Sequence, residues 1–346
     1  MLPGLPLQKL AEKIERNRLL KKDFIASTDM LSVNVTGEGA MLEIPDHGAF
    51  PIRPLAHDQI GTHAGIPAKY YDRMLAEAPD LLATNVNTWF RKNPSKRMVR
   101  TLDKHARSFN SNSYRRIENE QIAEAVIPVL RELPGIQIVS SDVTERKLYI
   151  HFIVPTIEGE VKKGDVVQVG GIISNSEVGC GSVSVAGLAW RLICLNGMKT
   201  GDAFRRAHAG KQIDDNEELW ASDTRHADDA ALMLKVRDMV KAVVDETRFR
   251  ATINKMKELA GVKVTGNVVQ AVEVLSSVVS ITEVERSGVL RSLIEGNDLL
   301  AWGVANAVTA QAHAATSYDR AVDLEAFGGQ LLDLPATDWK RILEAA

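Results

Sequence analysis

The spacing of hydrophobic positions predicts helices and hairpins in the first ninety or so residues of the chain. Apolar residues recur at helical spacing from Leu7 to Phe24, which indicates an amphipathic helix. The runs LSVNV (31–35) and AMLEI (40–44) alternate apolar and polar residues around the turn sequence TGEG, which predicts a β-hairpin. Pro67 stands where a helix can begin, and a second helix is expected over 81–90.

Strand patterns dominate the middle of the chain. VRTLD (99–103) and ARSFN (106–110) predict two short strands around a tight turn, and IQIVSSDV and RKLYIHFIV predict two more. The stretch GDVVQVGGIISNSEVGCGSVSVAGLAWRLICLNG predicts two long strands joined by a turn rich in Gly, Ser and Asn. Connections this short favour antiparallel pairing, because parallel strands need crossovers of about a dozen residues or more.

The pattern changes after Gly210, where the periodicity becomes helical and the charge changes sign. Residues 1–210 hold 27 Lys and Arg against 23 Asp and Glu, whereas residues 211–346 hold 15 against 22. We therefore expect an α+β protein in which a mainly antiparallel sheet with packed helices is followed by a C-terminal helical region. The expected parts are an N-terminal amphipathic helix (1–29), an α+β body (30–210), and an acidic, mainly helical region packed on that body (211–346).

Composition limits the class of protein without identifying it. With 45% hydrophobic and 25% charged residues, the 346-residue chain has the make-up of a soluble globular protein. Cys180 and Cys194 are too few for a disulfide framework or a four-thiolate zinc site, which favours a reducing compartment. We expect Cys180 to be a small structural residue and Cys194 to be packed in a strand.

Targeting and cofactor signals are weak. No segment reaches the roughly 18 unbroken apolar residues of a membrane span. The glycine patterns of dinucleotide sites and phosphate loops do not occur with the required spacing. We therefore expect a cytoplasmic protein with no membrane partner, no cofactor and no metal.

One segment of this slightly acidic chain is strongly basic. Residues 91–116 contain nine basic residues and a single acid, Asp103, and aromatic residues are interleaved with them. Cations neutralise phosphates, and aromatic rings provide surfaces on which bases stack. The candidate nucleic-acid-binding residues are Arg91, Lys92, Lys96, Arg97, Arg100, Lys104, Arg107, Arg115, Arg116, Trp89, Phe109 and Tyr114.

Two considerations count against reading every one of these cations as a nucleic-acid contact. If 97–102 is extended, Arg97 and Arg100 lie on opposite faces of the strand. The cations could also pair with acids of the C-terminal half, within the fold or across a subunit boundary.

A second candidate site is a polar pocket at one end of the sheet. Asn175 and Glu177 follow a predicted strand, where polar side chains can face a ligand. Arg191, inside an apolar strand, either pairs at a sheet face or binds an anion, and Asn196 follows it. Such a pocket would suit a nucleotide- or DNA-modifying enzyme, although no catalytic motif accompanies it.

Four stretches resemble a family of uncharacterised phage- and plasmid-borne proteins: IPAKYYDRM, VRTLDKHARSFNSNSYRRIEN, GDVVQVGGIISNSEVGCGSVSVAGLAWRLICLNGM and AVTAQAHAATSYDRAVDLEAFGG. The resemblance covers roughly residues 55–335, and Asn110 and Asn112 depart from the pattern expected before SxxYRR. It implies a mobile-element context, in which recombination and replication functions are common, and it implies no catalytic residue. Single-strand annealing proteins offer an analogy in fold and context only.

These observations lead to one main hypothesis and two rivals. The main hypothesis is a non-enzymatic nucleic-acid-binding protein that favours single-stranded DNA, acts in annealing or recombination, and forms a homo-oligomer. The first rival is the modifying enzyme described above. The second is a structural or host-interaction protein, in which the basic segment pairs with the acidic helices.

Overall fold

The computed structural model describes residues 2–36, 39–208 and 221–345, and these residues form an α+β fold that is 49% helical and 27% strand. This confirms the expected fold class. The helices are α1 Leu7–Leu20, α2 Pro54–His63, α3 Ala68–Glu77, α4 Pro79–Lys92, α5 Asn119–Glu132, α6 Ser222–Ala242, α7 Glu246–Ala260, α8 Val268–Val278, α9 Glu283–Gly296, α10 Ala301–Ala310, α11 Tyr318–Leu332 and α12 Ala336–Leu343. The strands are β1 Lys22–Ser27, β2 Ser32–Thr36, β3 Gly39–Ile44, β4 Gly48–Pro51, β5 Lys96–Leu102, β6 His105–Ser111, β7 Gln137–Val143, β8 Leu148–Glu160, β9 Val166–Asn175, β10 Val183–Arg191 and β11 Asn196–Arg206.

The named strands of the described residues form three sheets, and all pair antiparallel. The strand orders are β1-β5-β6, β2-β3-β4 and β11-β10-β9-β8-β7. The β2–β3 hairpin confirms the alternation seen in the sequence, with Val33 opposite Leu42. Every pairing between named strands except β1–β5 joins strands that are consecutive in the chain, which is why the short-range sequence pattern predicted several of them.

The two small sheets and α2–α4 share one hydrophobic core. Phe90 of α4 and Phe109 of β6 stack in it with ring centroids 5.6 Å apart. Phe109 was predicted to stack on bases, but it is only 3% exposed and belongs to this core. That prediction was wrong because an aromatic side chain on the inward face of a strand is buried whatever charges flank it.

The five-stranded sheet lies between two helical layers. Helices α1, α5 and α6 cover one face, where Ile150 and Phe152 enter the core. Helices α10 and α11 lie over the other face, and α11 also runs against β11. A Cβ at Gly329 of α11 would come within 1.6 Å of the Lys199 carbonyl oxygen, so the absence of a side chain permits this close approach.

Several boundaries differ from those expected. The first helix stops at Leu20 rather than Phe24, because the following residues pair with β5 as strand β1 and place Phe24 opposite Val99. In the C-terminal helical region, the apolar stretch over 231–249 is divided between α6 and α7, and the Asp245 side chain caps α7 by accepting from the Arg248 amide. Capping residues compete with helix continuation in this way.

The apolar stretch around Cys194 is a turn rather than a continuous strand. Strand β10 ends at Arg191 and β11 begins at Asn196, with Leu195 in the left-handed region at a φ of 48°. Cys194 is therefore exposed, which corrects the expectation that it is packed. Among the described residues, no helix combines the length and the apolar character that crossing a bilayer requires.

Candidate nucleic-acid interface

The side chains of Arg97 and Arg100 point to opposite faces of β5, as the alternation predicted. Arg97 faces α2, where its Nη2 donates to His63 Nδ1 at 2.8 Å. Burial and the neighbouring Arg97 charge lower the pKa of His63 to about 4. The neutral imidazole can therefore accept this hydrogen bond.

Arg100 is fully buried on the other face of β5. Its Nε donates to Asp23 at 2.8 Å, its Nη1 to the Glu177 carbonyl at 2.7 Å, and its Nη2 to Glu118 at 2.6 Å. These partners come from β1, from the loop after β9 and from the residue before α5. Arg100 therefore joins the first half of the chain to the five-stranded sheet.

Arg107 reaches the same region because of a β-bulge. Arg100 pairs with Ser108 and Thr101 pairs with Ala106, so Arg107 is the extra residue in β6. A bulge redirects a side chain in this way. The Nη1 of Arg107 donates to Glu177 Oε2 at 2.9 Å, and both side chains are buried.

Lys21 completes what we call the buried ionic network, formed by Lys21, Asp23, Arg100, Arg107, Glu118, Glu120 and Glu177. The Lys21 Nζ lies 2.7 Å from Glu118, 2.8 Å from Glu120 and 3.1 Å from Glu177. Burial alone would raise the pKa of Glu177, but Arg107 and Lys21 lower it to about 2. Burial raises the pKa of Glu118, and the nearby Glu177 carboxylate adds to that rise.

The three glutamates are close enough together to hold a metal ion. Their carboxylate oxygens lie within 4.8 Å of one another. However, the cation among them is the ammonium of Lys21. The positive charge between the three carboxylates is therefore supplied by a side chain of the protein itself, the Lys21 ammonium.

The network corrects two predicted phosphate contacts. Arg100 and Arg107 bond to the chain's own carboxylates and carbonyls instead of facing solvent. Tyr114, predicted to stack on bases, donates its hydroxyl to the Ser176 carbonyl at 2.7 Å, and its ring stacks on His208. These three side chains hold loops together.

Arg115 and Arg116 lie nearer the surface. Arg115 pairs with Asp228 and Asp229 of α6, and Arg116 reaches Asp23 at 3.3 Å. The Arg115 pairs are the contact between basic segment and acidic helices that the structural rival predicted.

The other predicted cations remain exposed, and most of them gather at one place. Arg91, Lys92 and Lys96 surround the α4–β5 junction and, among the described residues, have no carboxylate oxygen within 4 Å. The Lys92 Nζ lies 5.3 Å from the ring centroid of Trp89, and that indole is 40% exposed. Lys104 is also exposed, but it lies in the β5–β6 turn at the opposite end of the strand. We call Trp89, Arg91, Lys92 and Lys96 the α4–β5 surface.

The predicted polar pocket does not form, because its residues lie at opposite ends of the sheet. Arg191 pairs in register with Val167 near the start of β9, whereas Asn175 and Glu177 lie at the end of β9 and beyond. Arg191 instead forms a bidentate pair with Asp165, at 2.6 and 2.8 Å. Strand direction separates the two halves of the pocket, and residue spacing alone did not reveal it.

The two asparagines of that pocket are buried and engaged with different partners. Asn175 donates to the Ile117 carbonyl at 3.0 Å and to Asn119 at 2.8 Å. Asn196 donates to Thr309 of α10 at 2.6 Å. Both therefore hold loops and helices against the sheet.

Sequence reasoning missed the carboxylates that neutralise the basic segment, and it also missed Arg205 and Arg206. Arg206 shares Asp228 with Arg115 at 3.1 Å, so a second Arg-Arg pair lies beside the first. The repeated Arg-Arg dipeptide was a signal in the sequence. The sites of Lys21 and Asp23 could not be found in this way, because their partners are far away along the chain.

The folded chain is thus an α+β protein with a buried ionic network and a small exposed basic surface. Comparisons of the chain with protein-family models, with curated proteins and with solved structures each found no match.

Proposed function

We propose that the chain binds nucleic acid, with single-stranded DNA favoured, through the α4–β5 surface. The observation that carries this proposal is a set of three exposed cations at the α4–β5 junction, none with a carboxylate partner among the described residues, of which Lys92 lies beside a partly exposed indole. Such cations bind phosphates without first giving up an internal ion pair. Trp89 offers a face on which an unpaired base can stack.

The expected energetics follow from the number of groups. Each phosphate neutralised on a single strand adds about 0.7 to the slope of log K against log salt. Three cations would therefore contribute roughly 2 to that slope. Stacking on an aromatic ring adds about 1–3 kcal/mol per base, which is largely independent of salt.

The test is a charge-neutralising variant with a matched control. Arg91→Gln/Lys92→Gln/Lys96→Gln should weaken binding of a fluorescein-labelled oligothymidylate, measured by anisotropy, and should flatten the salt slope by roughly 2. Arg237→Gln/Lys241→Gln/Lys255→Gln removes the same charge from exposed positions on the helical half, where each cation pairs with an acid. Equal losses in both variants, or no binding by the unaltered protein at low salt, would contradict the proposal.

Trp89 provides a separate readout. Trp89→Ala should weaken binding by about 1–3 kcal/mol while leaving the salt slope unchanged. A duplex should bind less tightly than a single strand, because its bases are already stacked on one another. Equal affinity for both forms would remove the preference for single strands.

The proposal extends to the annealing or recombination role, to the phage and plasmid context, and to homo-oligomerisation. A strand-annealing assay with complementary labelled oligonucleotides tests the annealing role. Light scattering with and without DNA tests homo-oligomerisation. A monomer that binds single strands but does not accelerate annealing would limit the function to binding.

A further inference from the structure

We propose that Arg115, Arg116 and Arg206 form a second phosphate-binding site, and that the carboxylates of α6 occupy it in the free protein. This inference takes its ligand class from the proposed function, but it concerns a different surface. We call these three residues the arginine cluster.

Two chain segments are fixed side by side to form the cluster. The Arg115 amide donates to the His208 carbonyl at 3.2 Å, and the His208 Nδ1 lies 3.1 Å from the Arg115 carbonyl oxygen. Tyr114 and His208 stack with ring centroids 5.3 Å apart. The segment before α5 and the end of β11 therefore bring Arg115 and Arg206 to the same carboxylate of α6.

Carboxylates of α6 occupy the positions that phosphate oxygens would take. Arg115 Nε donates to Asp229 Oδ1 at 2.9 Å, and its Nη1 donates to Asp228 Oδ2. Arg206 Nη2 donates to the same Asp228 oxygen at 3.1 Å. Two guanidinium groups converging on one acceptor also suit a phosphate, because the planar donor fork matches both anions.

Positive charge remains after this pairing. Arg116 is 52% exposed, and its contact with Asp23 is long for an ion pair. Arg205 does not add to this charge, because it lies opposite Ser184 on the other face of β11 and bonds to the Ser182 hydroxyl at 3.4 Å. A polyanion would therefore meet the Arg116 guanidinium as well as the two guanidinium groups that are shared with α6.

The α6 carboxylates can be displaced at low cost. The side chains of Asp228 and Asp229 are 43% and 31% exposed, and ion pairs at such exposed positions contribute little to stability. Asp229 also lines an open groove of about 470 Å³ between α5 and α6, so its carboxylate has room to turn away from Arg115. The buried ionic network, by contrast, is enclosed and would not exchange its partners.

The test removes the α6 charges without changing side-chain shape. Asp228→Asn/Asp229→Asn should tighten oligothymidylate binding about tenfold at low salt and steepen the salt slope by roughly 1–2, as freed arginines reach phosphates. The control Asp238→Asn/Glu246→Gln makes the same change in net charge at exposed positions whose ion pairs, within the described part of the chain, are with Arg237 and Arg250. It should tighten binding much less.

Several outcomes separate this site from the α4–β5 surface. Adding Arg206→Gln to Asp228→Asn/Asp229→Asn should abolish the gain, whereas adding Arg91→Gln/Lys92→Gln/Lys96→Gln should not. If the α4–β5 variant binds normally but the α6 variant still gains affinity, the proposed surface is wrong and the arginine cluster stands.

Unchanged or weaker binding by a folded α6 variant, or an equal gain in the control, would overturn the inference. If the double variant has a lower urea midpoint, the single variant Asp228→Asn replaces it in the binding test. Asp228 is more exposed than Asp229, and it pairs with both Arg115 and Arg206. No gain from that folded single variant would likewise overturn it.

Discussion

Replacing Arg100 with methionine tests whether the buried ionic network is structural. The substitution keeps an unbranched side chain of similar length and removes the guanidinium. Arg100 donates three hydrogen bonds of 2.6–2.8 Å, and its side chain is only 1% exposed. Asp23, Glu118 and the Glu177 carbonyl would lose their shared donor in a largely buried region, where the two carboxylates are each only 16% exposed.

The magnitude follows from what is left behind. Removing one partner of a buried ion pair typically costs about 3–5 kcal/mol, because the remaining charge is uncompensated. Whole domains are stable by only about 5–15 kcal/mol, so Arg100→Met should remove a large fraction of the free energy of unfolding. Arg91, which is exposed and forms no ion pair with any described carboxylate, is the control, and Arg91→Met should change that free energy by less than about 0.5 kcal/mol.

Urea unfolding, followed by both circular dichroism and tryptophan fluorescence, provides the measurement. Coincident transitions would license a two-state analysis, and separate transitions would be fitted separately. A loss below about 1 kcal/mol for Arg100→Met would refute the structural role. Full stability combined with loss of DNA binding would show instead that Arg100 contacts nucleic acid.

Two further predictions concern packing and pH. Gly329→Ala should destabilise the protein by about 1–3 kcal/mol, because the new methyl group would overlap the Lys199 carbonyl. Gly296 has open space around it, so Gly296→Ala should be tolerated, and equal urea midpoints for the two variants would contradict the prediction. The folded-state pKa of His63 is about 4, below its unfolded value near 6.5. Between these two pH values the unfolded chain binds more protons than the folded chain. The free energy of unfolding should therefore fall as the pH is lowered from about 6.5 to 4. An NMR titration of the His63 ring with a midpoint near 6.5 would show that Arg97 and burial do not act on it as described.

Local signals in the sequence predicted local structure well. Ser317 is of a residue type that commonly caps helices, and it caps α11 by accepting from the Arg320 amide. The TGEG hairpin and the helix that begins after Pro67 were found for the same reason, since each depends on neighbouring residues only.

The partners of the arginines could not be read from the sequence. Arg100 and Arg116 differ by only sixteen positions, yet one is buried against three acceptors and the other is half exposed. Arg100 lies on the face of β5 that contacts the loop after β9, whereas Arg116 lies in the segment between β6 and α5, and only the packing of these parts decides which guanidinium is covered. Composition identified a basic segment correctly, but it could not tell structural cations from available ones.

The buried ionic network has a consequence for the order in which the protein can be made. Lys21 and Glu177 are 156 positions apart, so at about 5–20 residues per second the acid emerges on the order of ten to thirty seconds after the lysine. All residues of the hydrophobic core around Phe90 have been synthesised by residue 109. The ion pairs with Glu177 can form only after the loop that follows β9 has been translated. In a nascent chain stalled before Glu177, the amino-terminal half would be compact but would lack its contacts with Glu177. Protease should therefore cleave this half more readily than the same residues in the finished protein.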